Sequence, residues 1–187
     1  MTGVLRLTLV SHAMTDAMAA ARFPADEPLN DTGRRQAGGI EITSDAMQLA
    51  GPELRARQTA DLLGLHATTE PMLADLDCGR WRGETLQSVP AADLKTWLTD
   101  PAQAPHDGES IVELIDRVGG WLASLNRNVI PTVAVTHPAV IRAAILTALD
   151  AAPKSFWRID IAPASGTVLH FRDGCWTLRW WRGVASA

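Results

Sequence analysis

The chain is short of several things. It has no tyrosine, and of its two cysteines, Cys78 and Cys175, neither belongs to a CxxC. Two thiols so far apart fit a reducing compartment better than a disulfide-stapled secreted fold. No apolar run approaches the roughly 20 residues of a membrane span. The N-terminal "MTGVLRLTLV" lacks the basic start, long apolar stretch and small-residue cleavage site of a signal peptide, so a cytoplasmic location is expected. A basic excess is missing too. The formal net charge is −4, and nucleic acid or an anionic membrane would want the opposite sign, so neither is an expected partner. What remains is ordinary for a globular protein: 187 residues, 47% hydrophobic and 20% charged. That length suffices for one well-buried domain, read as 1–187. Seven tryptophans are unusual beside no tyrosine, and packing is the only role the sequence offers them.

Val4–Val10 is an apolar-rich run suited to a central strand. "PLNDTGRRQAGGI" then predicts a helix with Asn30 as N-cap and Gly38-Gly39 as its stop. Ala46–Ala50 reads as a second short strand. Glu53–Leu63 reads as a helix, with Pro52 in the first turn, where its missing N–H has no partner to lose. A further short helix contains Thr96–Leu98. "SIVE" at Ser110–Glu113 is a capping box opening a helix to about Leu125. Thr132–Thr136 reads as a strand, His137-Pro138 as a turn and Ala139–Leu149 as a helix. "GTVLHFRDGCWTLRWW" predicts two strands joined at Asp173-Gly174. Strands alternating with helices argue for α/β: a three-layer α/β/α sandwich with a mostly parallel central sheet and an antiparallel C-terminal hairpin.

One local pattern occurs twice. "TLVSHA" and "AVTHPAV" each run from apolar strand to histidine to helix, at His12 and His137. In an open α/β sheet, ligands bind outside the carboxyl ends of the parallel strands. Two histidines at such ends could face one crevice, as metal ligands, as a nucleophile with its partner, or as acid and base. A metal wants a third ligand at close spacing, and none is adjacent. His66 and His106 sit in polar loops and read as solvated, and His170 reads as an exposed strand residue.

Taken in order, these stretches resemble the histidine phosphatase (phosphoglycerate mutase-like) superfamily. "ELRARQTADLL" is similar to its R-A-x-Q-T-A helix, and "LADLDCGRWRGETL" to its L-x-E-x-D-x-G-x-W-x-G segment. "DGESIVELIDRV" is similar to its G-E-S helix start, and "VTHPAVIRAAI" to its second-histidine motif. "PLNDTGRRQA" resembles the helix after its first loop. The likeness runs from about Val4 to the terminal hairpin, and the short segment between Asp75 and His137 resembles the compact alpha-ribazole phosphatase branch. It implies phosphomonoester hydrolysis through a phosphohistidine on His12, with no metal or other cofactor. Arg55 would grip phosphoryl oxygens with its guanidinium fork. His137 would stabilise the transition-state charge. Asp75 stands where the family often has glutamate as general acid, a role that wants its pKa raised by burial. Asp77 is the nearby alternative. Arg57 is expected at the surface, and Trp81 in packing.

The likeness breaks at the first loop. The family's R-H-G triplet is Ser11-His12-Ala13 here, so the first phosphate-gripping arginine is a serine. Met18 stands where many members have asparagine, while Thr15 keeps a hydroxyl common in the motif. Ser11 and Thr15 are therefore the phosphate-binding candidates on that loop, and Arg22 is a candidate substitute cation, Arg34 and Arg35 being expected at the surface. Losing one strong transition-state donor costs about 10²–10³ in rate. The alternative to a phosphatase is thus a catalytically impaired relative that binds a phosphate-like anion or a protein partner. The expected partner is a small phosphorylated molecule, with a homodimer as an option.

Overall fold

The computed structural model describes residues 3–37, 46–125 and 130–179. In chain order they form β1 (Leu5–Ser11), α1 (Asp16–Ala19), α2 (Asp31–Ala37), β2 (Met47–Ala50), α3 (Leu54–Leu62), β3 (Thr68–Thr69) and α4 (Ala91–Thr99). Then come α5 (Ile111–Leu125), β4 (Thr132–Thr136), α6 (Pro138–Ala148), β5 (Gly166–Arg172) and β6 (Cys175–Arg179). The strands make one sheet in the order β3-β2-β4-β1-β5-β6. Pairings from β3 through β1 are parallel, and β5 runs antiparallel to both β1 and β6. The expected α/β layout holds, with the antiparallel region reaching one strand further in than the terminal hairpin.

Alternation along the two central strands shows why the sheet needs cover on both sides. Leu7, Leu9 and Ala134 pack with the apolar faces of α5 and α6, whereas Val10, Val133 and Val135 pack with Ala56 and Ala60 of α3. Successive side chains point to opposite faces, so a strand apolar at nearly every position has to be sandwiched. α5 supplies much of one layer. Its buried residues Ile111, Leu114, Val118, Trp121, Leu122 and Leu125 recur at helical spacing. Its start is the expected capping box. The Ser110 N–H donates to Glu113 Oε2 at 2.8 Å, and the Glu113 N–H to Ser110 Oγ at 3.2 Å.

Other local expectations fare unevenly. Asn30 Oδ1 accepts the Gly33 N–H at 2.9 Å, as an N-cap should. The stop at Gly38-Gly39 lies outside the described residues. Asp173 and Gly174 have φ of 51° and 83°, the left-handed pair that a two-residue hairpin turn requires. The helix around Thr96–Leu98 is longer, Ala91–Thr99. His106 is not solvated. It is fully buried, packs edge-on against Trp81 with ring centroids 4.9 Å apart, and accepts the Gly108 N–H on Nδ1. His66 is exposed as expected, and His170 is half-buried. Trp81 is indeed packing, against Phe23 and Trp97. Both cysteines are free thiols, and no described helix is long and apolar enough to cross a membrane.

Leu114 is fully buried where α5 meets the core, so Leu114→Ala should cost about 2–5 kcal/mol. Urea denaturation checks this, and a loss below about 1 kcal/mol would show that α5 is not seated as described.

Candidate active site

Sheet register explains how residues 125 positions apart in sequence come together. β1 and β4 are parallel neighbours, with Ser11 opposite Thr136, and each strand ends on the residue before a histidine. The His12 N–H donates to the Thr136 carbonyl at 2.8 Å. The two imidazoles consequently lie side by side, centroids 5.2 Å apart and planes at 60°.

His12 is almost fully buried, and its Nδ1–H donates to the Ala13 carbonyl at 2.8 Å. That bond fixes the tautomer and leaves the Nε2 lone pair free. Burial, then the neighbouring His137 and Arg55, lower its pKa from the usual 6.5 to about 4. The ring is therefore neutral at physiological pH, the form a nucleophile needs.

Arg55 lies one residue into α3 and is 2% exposed. Its Nη2 donates to Asp75 Oδ2 at 2.6 Å, whereas Nε and Nη1 are buried with no hydrogen-bond partner in the protein. His137 is fully buried and sits at the N-cap position of α6. Its Nε2–H donates to Glu53 Oε2 at 2.7 Å, and its Nδ1, also without a hydrogen bond, lies 3.4 Å from Asp75 Oδ2. Buried polar groups are nearly always paired, and leaving one unpaired costs about 1–3 kcal/mol. Arg55 Nε and Nη1 and His137 Nδ1 are three such atoms in the cluster with His12.

Asp75 is where the sequence reading is corrected. Burial does push its carboxyl up, but the charges of His137, Arg55 and His12 and the Arg55 hydrogen bond outweigh it, and its pKa falls to about 2. In the free protein Asp75 is an ionised carboxylate. Arg117 of α5 holds its segment in place. Arg117 pairs with Glu109 at 2.7 Å and donates through Nη1 to the Met72 and Ala74 carbonyls at 2.7 and 3.0 Å. Two glycines allow the next stretch to pack closely. A Cβ on Gly79 would fall 2.1 Å from the His106 carbonyl, and one on Gly108 the same distance from that of Asp77.

A cavity of about 180 Å³ opens over these groups. His12, Arg55 and Asp75 are in its wall, together with Met18, Phe23, Trp97, Trp157, Arg22 and Arg142. Arg57 is exposed, as are Arg34 and Arg35. The first loop differs from its expected part. Ser11 is fully buried, and its hydroxyl reaches only the His12 carbonyl, at 3.5 Å. The Thr15 hydroxyl caps α1 through the Met18 N–H at 3.2 Å and donates to Glu27 at 3.1 Å. Neither lines the cavity. Asp77 faces the other way and pairs with Arg82 at 3.0 Å. Arg22 stands at the rim, exposed, with Nη1 3.4 Å from the Gly83 carbonyl. Arg142 was not anticipated. It comes from α6, stacks over Phe156 and Trp157, and donates through Nε to the Ile159 carbonyl at 2.7 Å. Glu53 was missed as well, since a carboxylate beside a helix start reads as an ordinary dipole partner. Cys78 also lines the cavity, but burial pushes its thiol up to about 12, so it is no nucleophile. Among the described residues no group of three or more His, Cys, Asp or Glu is placed to hold a metal ion.

The family model of the histidine phosphatase superfamily (branch 1) matches residues 7–183. The chain belongs to that superfamily. A glucosyl-3-phosphoglycerate phosphatase of Mycolicibacterium vanbaalenii is 30% identical over 180 residues, 83% of this chain and 79% of that protein. The structure of a mycobacterial glucosyl-3-phosphoglycerate phosphatase complexed with VO3 superposes with a TM-score of 0.80 at 26% identity, over 96% of this chain and 99% of that one. A phosphoserine phosphatase of Entamoeba histolytica in complex with 3-phosphoglyceric acid shares the fold, with a TM-score of 0.85 at 21% identity over 97% and 98% of the two chains. Phosphomonoester hydrolysis is consistent with this histidine phosphatase membership, and the impaired-relative alternative gains no support from it.

The cluster should make stability fall with acid. An unfolded histidine takes up a proton near pH 6.5, whereas folded His12 resists until about 4, so stability drops as pH falls through that window. Asp75 extends the loss, because its ordinary pKa of 3.8 is lowered to about 2 in the folded protein. Urea midpoints measured from pH 7 to 3 should show the decline, and His12→Ala should flatten it between pH 6.5 and 4. An equally steep decline in that variant would remove His12 as its source.

Proposed function

We propose that the protein hydrolyses a small phosphomonoester through a phosphohistidine on His12. The observation that carries this reading is the free, neutral Nε2 of His12 set among three unpaired buried nitrogens, Arg55 Nε and Nη1 and His137 Nδ1. Phosphoryl transfer asks little covalent chemistry of a protein and much positioning and charge complementarity. His12 Nε2 attacks phosphorus and the P–O bond to the leaving group breaks. Arg55, and His137 as an imidazolium with Nε2–H on Glu53 and Nδ1–H on the phosphoryl group, hold the equatorial oxygens as negative charge spreads over them. Water then attacks the phosphorus of phosphohistidine, which releases inorganic phosphate and restores the imidazole.

Asp75 serves both halves, through two protonation states. As the ionised carboxylate of the free protein it is the base for the hydrolytic water. As the acid for the leaving oxygen it must first bind a proton. An arriving phosphate promotes this by bringing negative charge beside the carboxylate and drawing on His137 and Arg55, the groups that hold its pKa down. The cavity at His12 adjoins a second one of about 240 Å³ that Arg55 and Asp75 also line, so the leaving group has open space beyond the phosphoryl position.

The test is hydrolysis of p-nitrophenyl phosphate, with acid-labile phosphoprotein trapped by rapid quench. The wild-type protein should turn over with and without chelator, and His12→Ala should lose both turnover and label. Arg55→Met should lower kcat/KM by about 10²–10³. Equal background rates in wild type and His12→Ala would favour the anion-binding alternative.

A further inference from the structure

Glu53 is used twice. Its Oε2 accepts the Nε2–H of His137 at 2.7 Å, and its Oε1 accepts the backbone N–H of Asp75 at 2.9 Å. One carboxylate thus joins the start of α3, which carries Arg55, to the Asp75 segment and to the β4–α6 junction. Gly51 makes the space for this. A Cβ there would lie 2.9 Å from His137 Nε2, 3.2 Å from Glu53 Oε2 and 2.8 Å from the Leu73 carbonyl. With Nε2 committed to Glu53, Nδ1 is the His137 nitrogen left to face the reaction centre.

We propose that Glu53 is a positioning residue for phosphoryl transfer, aligning the His137 ring and the Asp75 backbone from a single carboxylate. Both of its partners are donors, so the position needs two acceptor oxygens. Glutamine offers one acceptor and one donor, so it either loses one of the two bonds or forces His137 Nε2 to become the acceptor, which changes the proton on the ring. Aspartate is a methylene too short to span them. Burial pushes the Glu53 carboxyl up, but the hydrogen bond from His137, the His137 charge and the backbone hydrogen bond from Asp75 together outweigh it and keep the group ionised at neutral pH. The missing arginine on the first loop makes this alignment matter more, because fewer charges remain to hold the phosphoryl group.

The proposal rests on the phosphatase reading, so its test has a readout without turnover. Glu53→Gln, Gly51→Ala and the double variant are assayed with p-nitrophenyl phosphate and with glycerol phosphate, and the ring nitrogens of His137 are followed by NMR. Glu53→Gln should lower kcat by about 10–100-fold with a much smaller change in KM. The loss should be larger for glycerol phosphate, whose alkoxide leaving group depends on an aligned acid. Gly51→Ala should reproduce these losses, and the double variant should cost no more than the worse single one. His137 Nε2 should change its resonance in Glu53→Gln. Unchanged kcat on both esters, or additive losses, would overturn the proposal. If the wild-type protein hydrolyses no ester, the phosphatase reading fails, and an unmoved His137 resonance in Glu53→Gln would overturn the positioning role by itself. Should Gly51→Ala fail to fold against the Leu73 carbonyl, Glu53→Gln adds no bulk and decides alone.

Discussion

The parallel pairing of β1 with β4 is the constraint on which the site rests. Two strands in register, each ending one residue before a histidine, deliver two imidazoles to the same edge of the sheet. Neither histidine needs a long loop to reach the other, so little conformational entropy is spent on the arrangement. The strands are in turn held by cover on both faces, with Leu7 and Leu9 buried toward α5 and α6 and Val10 toward α3. A single-residue slip of β1 against β4 would reverse those faces and separate the rings. Core packing and site geometry are thus the same requirement.

Around the histidines, charge rather than shape sets the chemistry. Arg55 is nearly sealed from water and has one carboxylate partner, which leaves part of its guanidinium unanswered. The same cation depresses the pKa of both His12 and Asp75. Burial and His137 act with it to keep the His12 ring unprotonated, and His137 acts with it to keep Asp75 ionised. The first loop contributes no cation, because Ser11 is buried in the strand and Thr15 is spent on a helix cap. The positive charge near the cavity comes instead from α3 and α6, through Arg55 and Arg142, with Arg22 at the rim.

Much of this was legible in the sequence where the signal is local. Strand, histidine and helix appear twice in plain order, the Ser110–Glu113 box marks its helix start, and Asp173-Gly174 marks its turn. The gathering of His12, Arg55 and Asp75 on one cavity, with His137 buried beside His12, was anticipated from the ordered motifs. What escaped depends on contacts between distant segments. Glu53 looks like any acidic residue before a helix, and its function as a link shows only once Asp75 and His137 are beside it. The fall in the Asp75 pKa was misjudged for the same reason: burial was foreseeable, but the convergence of His137, Arg55 and His12 on one carboxyl was not. His106 reads as a loop residue until Trp81 and Trp97 close over it.

The claim that carries most weight is that the unpaired nitrogens of Arg55 and His137 and the free Nε2 of His12 surround one anion. A crystal structure of the protein with vanadate tests it directly. The account predicts vanadium bonded to His12 Nε2, with vanadate oxygens within hydrogen-bond distance of Arg55 Nε and Nη1 and of His137 Nδ1. Vanadate bound elsewhere, or at His12 with Arg55 turned away from it, would contradict the account.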